Sequence, residues 1–171
     1  LPGVASNYAS VPDAADLDGF GDFTLEAKGV TFADWTSPAT EQGLMSKYKT
    51  STDERAFSFR LMTDGKLMVA LSYGGTLAST TAYTSSEATG VTDGTTADIM
   101  VMRTGEDIRF YVDGVKLGED VTVVTTALFN SSEPVVIGAG YNTTAYPMSG
   151  SIERVRIWNS AVANQATPTE T

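Results

Sequence analysis

The sequence predicts an all-β chain, an antiparallel two-sheet β-sandwich of the jelly-roll kind. Three observations carry this. Short runs that alternate apolar and polar residues recur along the chain, the pattern of half-buried strands. Asp-Gly pairs separate such runs at Asp64-Gly65 and Asp113-Gly114, and that dipeptide between alternating segments is the strongest short-range hairpin signal. The chain also holds 24 Thr, 15 Ser and 16 Gly. Threonine suits an exposed strand face, and glycine and serine suit tight turns.

The elements follow in order. Phe23-Thr24-Leu25-Glu26-Ala27 alternates and reads as a half-buried strand. Gly43–Tyr48 reads as a short strand. Phe57-Ser58-Phe59-Arg60-Leu61 alternates, Thr63-Asp64-Gly65-Lys66 turns, and Leu67, Val69 and Leu71 then line one face. Asp98–Arg103 is apolar at both parities, through Ile99, Met100, Val101 and Met102, which marks a central strand buried on both faces. Thr104-Gly105-Glu106-Asp107 links it to a strand carrying Ile108, Phe110 and Val112. Val121–Val124, Val135–Ala139 and Ser151–Trp158 complete the set. Helix is limited to a single turn at Pro12–Leu17 or Ser85–Thr89. So many short strands between turns indicate a sandwich rather than alternating β and α units. Residues 1–162 read as one domain. Ala163–Thr171 is polar, contains Pro168 and lacks periodicity, so it reads as a linker or tail. The chain starts at Leu1 rather than Met and is expected to be a piece of something longer.

Charge and composition exclude several chemistries. Among 171 residues, 11 Lys and Arg face 21 Asp and Glu, a net charge of -10, with no His and no Cys. The absent residues remove Ser-His-Asp and Cys-His triads, disulfides and the usual zinc ligand sets. An acidic chain without a basic cluster is not expected to bind nucleic acid, which needs several cations on one face. Apolar runs such as Ile99–Met102 are far too short to span a bilayer, so no membrane insertion is expected.

Several segments carry a family resemblance. Asp93–Gly118 (DGTTADIMVMRTGEDIRFYVDGVKLG) resembles the strand-hairpin of laminin-G-like, or concanavalin A-like, jelly rolls. Gly150–Asn159 (GSIERVRIWN) is similar to their closing strand, and Val136-Ile137-Gly138 to the one before it. Asn7–Asp13, Leu17 and Asp22–Ala27 match the opening. The resemblance covers roughly residues 4–162 and implies the sandwich fold. The opening Leu1–Asp13, with Asp34-Trp35 and Leu44–Lys47, further resembles domains embedded in minor tail proteins of phages that infect actinobacteria. That likeness implies a virion setting, on the tail and facing outward. It implies host-surface glycan, other tail proteins or copies of this chain as partners.

Candidate sites follow from the residue types. Glycoside hydrolysis needs two carboxylates ~5–9 Å apart, which a strand supplies at i and i+2 or i+4. No confident strand carries acids at that spacing, so no enzyme is expected. Asp13, Asp16, Asp18 and Asp22 form an acidic cluster in the first loop. Aspartate caps and turns well, and a solvated turn is the favoured reading; calcium, which takes oxygen ligands alone, is the candidate cofactor. Sugar recognition on a β scaffold combines an aromatic face with loop polar groups. The candidates are Trp35, Tyr73, Tyr83, Tyr141, Asn142 and Tyr146. Arg109, Arg154 and Arg156 alternate on strands and are expected to pair with acids of neighbouring strands. The expected function is non-catalytic adhesion to a host-surface glycan. The alternatives are a structural spacer between tail subunits and a calcium-dependent lectin-like domain of a secreted protein.

Overall fold

The computed structural model describes residues 1–4, 7–141 and 145–162, and within them two antiparallel sheets face each other. The expected two-sheet sandwich is what the chain forms. The strands are β1 (Ala9–Val11), β2 (Phe23–Phe32), β3 (Gln42–Lys49), β4 (Glu54–Leu61), β5 (Lys66–Gly75), β6 (Thr80–Ala88), β7 (Thr96–Thr104), β8 (Asp107–Val112), β9 (Val115–Lys116), β10 (Val121–Thr122), β11 (Val135–Ile137), β12 (Gly150–Ser151) and β13 (Arg154–Trp158). One sheet has six strands, ordered β1-β11-β3-β4-β5-β6. The other has seven, with the path β10-β8-β7-β2-β12; β13 also pairs with β2, and β9 with β8. Among the described residues, no helix is long and apolar enough to cross a membrane.

Alternation decides which face of each strand turns inward. Phe57, Phe59 and Leu61 of β4 and Leu67, Val69 and Leu71 of β5 enter the core from one sheet, and Leu25, Ala27, Ile99, Val101, Ile108 and Phe110 from the other. Phe59 and Phe110 meet across the layers, ring centroids 6.5 Å apart. On β2 the inward parity changes: Ala27 pairs with Ile99 and Val30 with Ala97, with a register shift between them. Gly29 sits in that bulge with φ +60°. A β-bulge inserts one residue and re-aims those that follow, so Val30 and Phe32 stay buried. The β8–β9 hairpin turns through Asp113 (φ 48°) and Gly114 (φ 75°), the double positive φ that matches strand twist.

Several sequence expectations shift at their edges. The strand expected at Val121–Val124 ends at Thr122, and the one at Val135–Ala139 ends at Ile137. Ser151–Trp158 splits into β12 and β13, with Ile152-Glu153 between them. Pro12–Leu17 holds one 3-10 turn, Ala15–Leu17. Ser85–Thr89 is not helical. Residues 85–88 continue β6, because Leu67 donates its N–H to Ser85 Oγ (3.1 Å) where the β5–β6 register shifts.

From β10 the chain crosses to β11 in the opposite sheet without strand structure. Arg103, 1% exposed, holds this crossing. It donates to the carbonyls of Thr126 (2.8 Å), Val124 (2.7 Å) and Gly105 (3.3 Å). Of the arginines expected to pair outward, Arg109 meets Asp107 and Asp120, both at 2.8 Å, and Arg156 meets Glu26 at 3.1 Å. Lys116 joins Asp120 as well, and together with Arg109 it holds that carboxyl below the usual carboxylate range. A depressed folded pKa contributes stability that is present above the unfolded value and is lost as pH falls through the folded one. Asp120→Asn is therefore expected to lower stability at pH 7 by no more than about 1 kcal/mol, since the group is at the surface. The difference between wild type and variant should shrink to nothing in acid, and shrink in 1 M salt; urea titrations at each pH measure it.

Candidate functional site

The six candidate binding residues separate into different environments. Trp35 does not stand at the rim. It is 0% exposed, packs edge-on against Phe32 with centroids 4.7 Å apart, and donates its indole N–H to Thr95 O at 2.9 Å. Asp93 holds the Trp35 backbone N–H at 2.7 Å and also reaches Thr36. A large apolar ring whose one polar atom is satisfied inside gains most by burial, so the expectation that Trp35 contacts ligand is corrected. Tyr83 is also buried, at 8% exposure. Its hydroxyl meets that of the half-buried Tyr73 at 3.2 Å, and burial pushes the Tyr73 hydroxyl pKa up. These two rings fold back on the core edge. Asn142 lies outside the described residues.

Tyr141 and Tyr146 do come together. Their centroids are 5.1 Å apart, edge to face, on the outer face of the six-stranded sheet. Backbone bonds hold their segment there: Gly43 N donates to Tyr146 O (2.8 Å), and Gly140 N to Ala145 O (2.8 Å). Tyr146 has φ 52°, uncommon for a bulky residue and a mark of local strain. Tyr48 of β3 stacks on Tyr141 with centroids 4.4 Å apart and planes 30° apart. Two arginines of β4 extend the column. Arg60 lies 4.8 Å from the Tyr141 centroid and 4.4 Å from that of Tyr146, and Arg55 lies 5.7 Å from that of Tyr48. Such contacts are worth roughly 0.5–2 kcal/mol each, most when desolvated. Burial also raises the Tyr141 hydroxyl pKa, with Arg60 opposing the shift.

Hydrogen bonding in this cluster is incomplete. Ser58 Oγ, Arg55 Nε, and Arg60 Nε and Nη1 are buried without a hydrogen-bond partner. Arg60 Nη2 reaches Met68 Sδ at 3.8 Å, and the guanidinium also interacts with the Tyr141 hydroxyl. Glu41 Oε2 sits 2.9 Å from Arg60 Nε, close enough for an ion pair. It is out of line for a hydrogen bond, so both atoms keep their capacity. Buried polar groups without partners are uncommon and invite a functional account. Tyr48, Arg55, Ser58 and Arg60 were not among the sequence candidates. Alternation places Ser58 and Arg60 opposite the inward Phe57, Phe59 and Leu61, which is legible. The roof comes from Tyr141 and Tyr146, far along the chain, and is not.

A pocket of about 330 Å³ is formed by other residues, at the lower end of small-ligand sites. Its lining includes Gln42 and Pro147, the chain neighbours of Glu41 and Tyr146. Pro2, Pro38 and Ala39 give it apolar walls, and Asp34, Thr40 and Ser149 give it polar ones.

The acidic loop is built for another purpose. Asp13 and Asp18 both converge on Lys47, whose side chain is 0% exposed; the Asp18 contact is 2.9 Å. With its amide turned so that nitrogen faces the carboxylate, Asn130 donates to both Asp18 oxygens at 2.8 and 3.0 Å. Asp22 accepts from Gly105 N at 2.8 Å, and Asp16 is exposed on the 3-10 turn. The four aspartates therefore do not form one ligand set. Among the described residues, no group of three or more acidic side chains converges as a metal site would.

The chain resembles several solved structures in fold. The carbohydrate-binding module (CBM40) of the Ruminococcus gnavus IT-sialidase, bound to α2,3-sialyllactose, superposes with a TM-score of 0.70 at 13% identity, covering 95% of this chain and 90% of that one. A heptameric SAP-like pentraxin from Limulus polyphemus gives 0.66 at 15% identity, covering 95% and 76%. The leech intramolecular trans-sialidase gives 0.68 at 13% identity; all of this chain is covered, but only 27% of that enzyme. No curated protein matches the chain in sequence. The model of a laminin-G family in the concanavalin A-like lectin/glucanase superfamily matches residues 3–166. With both sheets and this match in agreement, the chain belongs to the laminin-G-like branch of the concanavalin A-like lectin/glucanase superfamily.

Proposed function

We propose that this chain is a non-catalytic glycan-binding module of a virion tail, facing outward and attaching to a glycan of the host envelope. One observation carries the binding reading: Tyr141, Tyr146, Tyr48 and Arg60 converge on the outer face of the six-stranded sheet, with buried donors unspent. Aromatic rings with a few fixed polar groups on a rigid scaffold are what sugar recognition uses. The sialyllactose held by the R. gnavus module supports the same reading by similarity of fold. Three of the strand and turn carboxylates are tied up in ion pairs, Asp107 and Asp120 with Arg109 and Glu26 with Arg156, in keeping with a non-catalytic role. The tail setting rests on the likeness of Leu1–Asp13, Asp34-Trp35 and Leu44–Lys47 to tail-protein domains. Other tail proteins or further copies of this chain are the expected neighbours there.

The test is binding of the purified chain to intact actinobacterial cells and to their wall polysaccharide. Tyr141→Ala is expected to weaken binding about tenfold, the loss of one desolvated aromatic contact, while the far-UV spectrum is retained and no reducing ends are released. Wild type that ignores every cell and polysaccharide would end the adhesion reading. Antibody to this chain labelling the tail in electron micrographs of virions tests the location.

A further inference from the structure

The cluster over β4 has a surplus of donors. Arg60 is 5% exposed, and its Nη1 and Nε lack hydrogen-bond acceptors. Ser58 stands two residues earlier, hence on the same face of the strand, fully buried with its hydroxyl unpaired. Against these, the same cluster offers one unspent charged acceptor, Glu41 Oε2, which approaches Arg60 out of line, besides the Ser58 oxygen itself. A neutral sugar brings an O–H donor with every hydroxyl acceptor, and each of those donors would need a partner of its own beside the guanidinium. A carboxylate brings acceptors alone, and its charge suits a guanidinium better than any hydroxyl does. Glu41, the residue before β3, then acts as an internal carboxylate holding the place.

Resting on the glycan-binding reading above, we infer that the site takes the carboxylate of an acidic sugar, with Arg60 and Ser58 as donors and Glu41 as the internal competitor. The guanidinium lies 4.4 Å under the half-buried Tyr146 ring, so the sugar enters by displacing that ring. The competitor has a distinctive consequence. Removing its charge should tighten binding, whereas a merely structural Glu41–Arg60 pair would give no gain.

The experiment titrates the isotopically labelled chain with 3′-sialyllactose and glucuronate, and with lactose and glucose as neutral controls, reading the Arg60 Nε–H and the Ser58 and Arg60 amide signals. Expected are shifts with both acids and none with the neutral sugars. Glu41→Gln should bind the acids about threefold or more tightly, and Arg60→Lys and Ser58→Ala each about tenfold more weakly, the scale of a lost charge-assisted hydrogen bond. If Arg60→Lys fails to fold, Glu41→Gln and Ser58→Ala still decide. Neutral sugars bound as tightly as acids, or Glu41→Gln weakening the acids, would overturn the inference. Wall polysaccharide bound while every acidic probe is ignored would overturn it and leave the glycan reading intact. No binding to any probe or polysaccharide would overturn both.

Discussion

Lys47→Ala is expected to destabilise the chain by about 3–5 kcal/mol, the cost of breaking a buried ion pair from one side. The ammonium is 0% exposed and bonded to both Asp13 and Asp18. Without it, two carboxylates crowd together with Asn130 as the remaining donor to Asp18. At roughly 2–4 °C per kcal/mol for a domain of this size, the melting temperature should fall by about 6–20 °C. Urea denaturation with an unchanged m-value measures the loss directly. A second variant separates the pair from the packing. Lys47→Met with Asp13→Asn and Asp18→Asn keeps the volume and removes all three charges, so it should recover most of the loss. A single-variant cost under 1 kcal/mol would show that the loop is held by something else. Added calcium should leave the wild-type melting temperature unchanged, because the lysine already neutralises the two acids that face each other.

Trp35→Ala is the other large effect, and its readout is stability rather than affinity. Truncating a fully buried tryptophan costs about 3–5 kcal/mol, and leaving the Thr95 carbonyl without the indole donor adds about 1 kcal/mol. Chemical denaturation should show that loss in full. The fraction still folded should bind glycan as wild type does, since the ring is 0% exposed and lies against Phe32. A selective loss of binding at wild-type stability would place Trp35 back at the rim.

These two residues show where sequence reading reaches and where it stops. The strands with an apolar face, β2 through β5 and β7 and β8, are legible because alternation reports burial directly. Both Asp-Gly turns are legible because that dipeptide supplies the positive φ a tight hairpin needs. β1 and β6 escape because neither carries a run of buried apolar residues: Ala9–Val11 is wholly exposed, and β6 presents mostly threonine and serine. Their strand character comes from pairing with β11 and β5. The same logic applies to the site. A Tyr or Trp beside a turn has two fates, inward or outward, and local sequence treats them alike. Trp35 turned inward because Asp93 and Thr95, distant in sequence, offered it partners. Tyr141 and Tyr146 settled half-buried on the outer face because Tyr48 and Arg60 met them there. Nothing in the residues beside Lys47 marks it as buried, because its burial depends on a loop some thirty residues earlier.

The arch between β10 and β11 is secured through its own main chain. A single guanidinium grips the Val124 and Thr126 carbonyls, so almost any side chain can stand at those positions without loosening the grip. Mutational tolerance at the exposed residues 124–126 and intolerance at Arg103 are two faces of one arrangement. Those three positions can drift in evolution for as long as one residue in a different strand is kept, while Val123 and Leu128 on either side stay tied to the core.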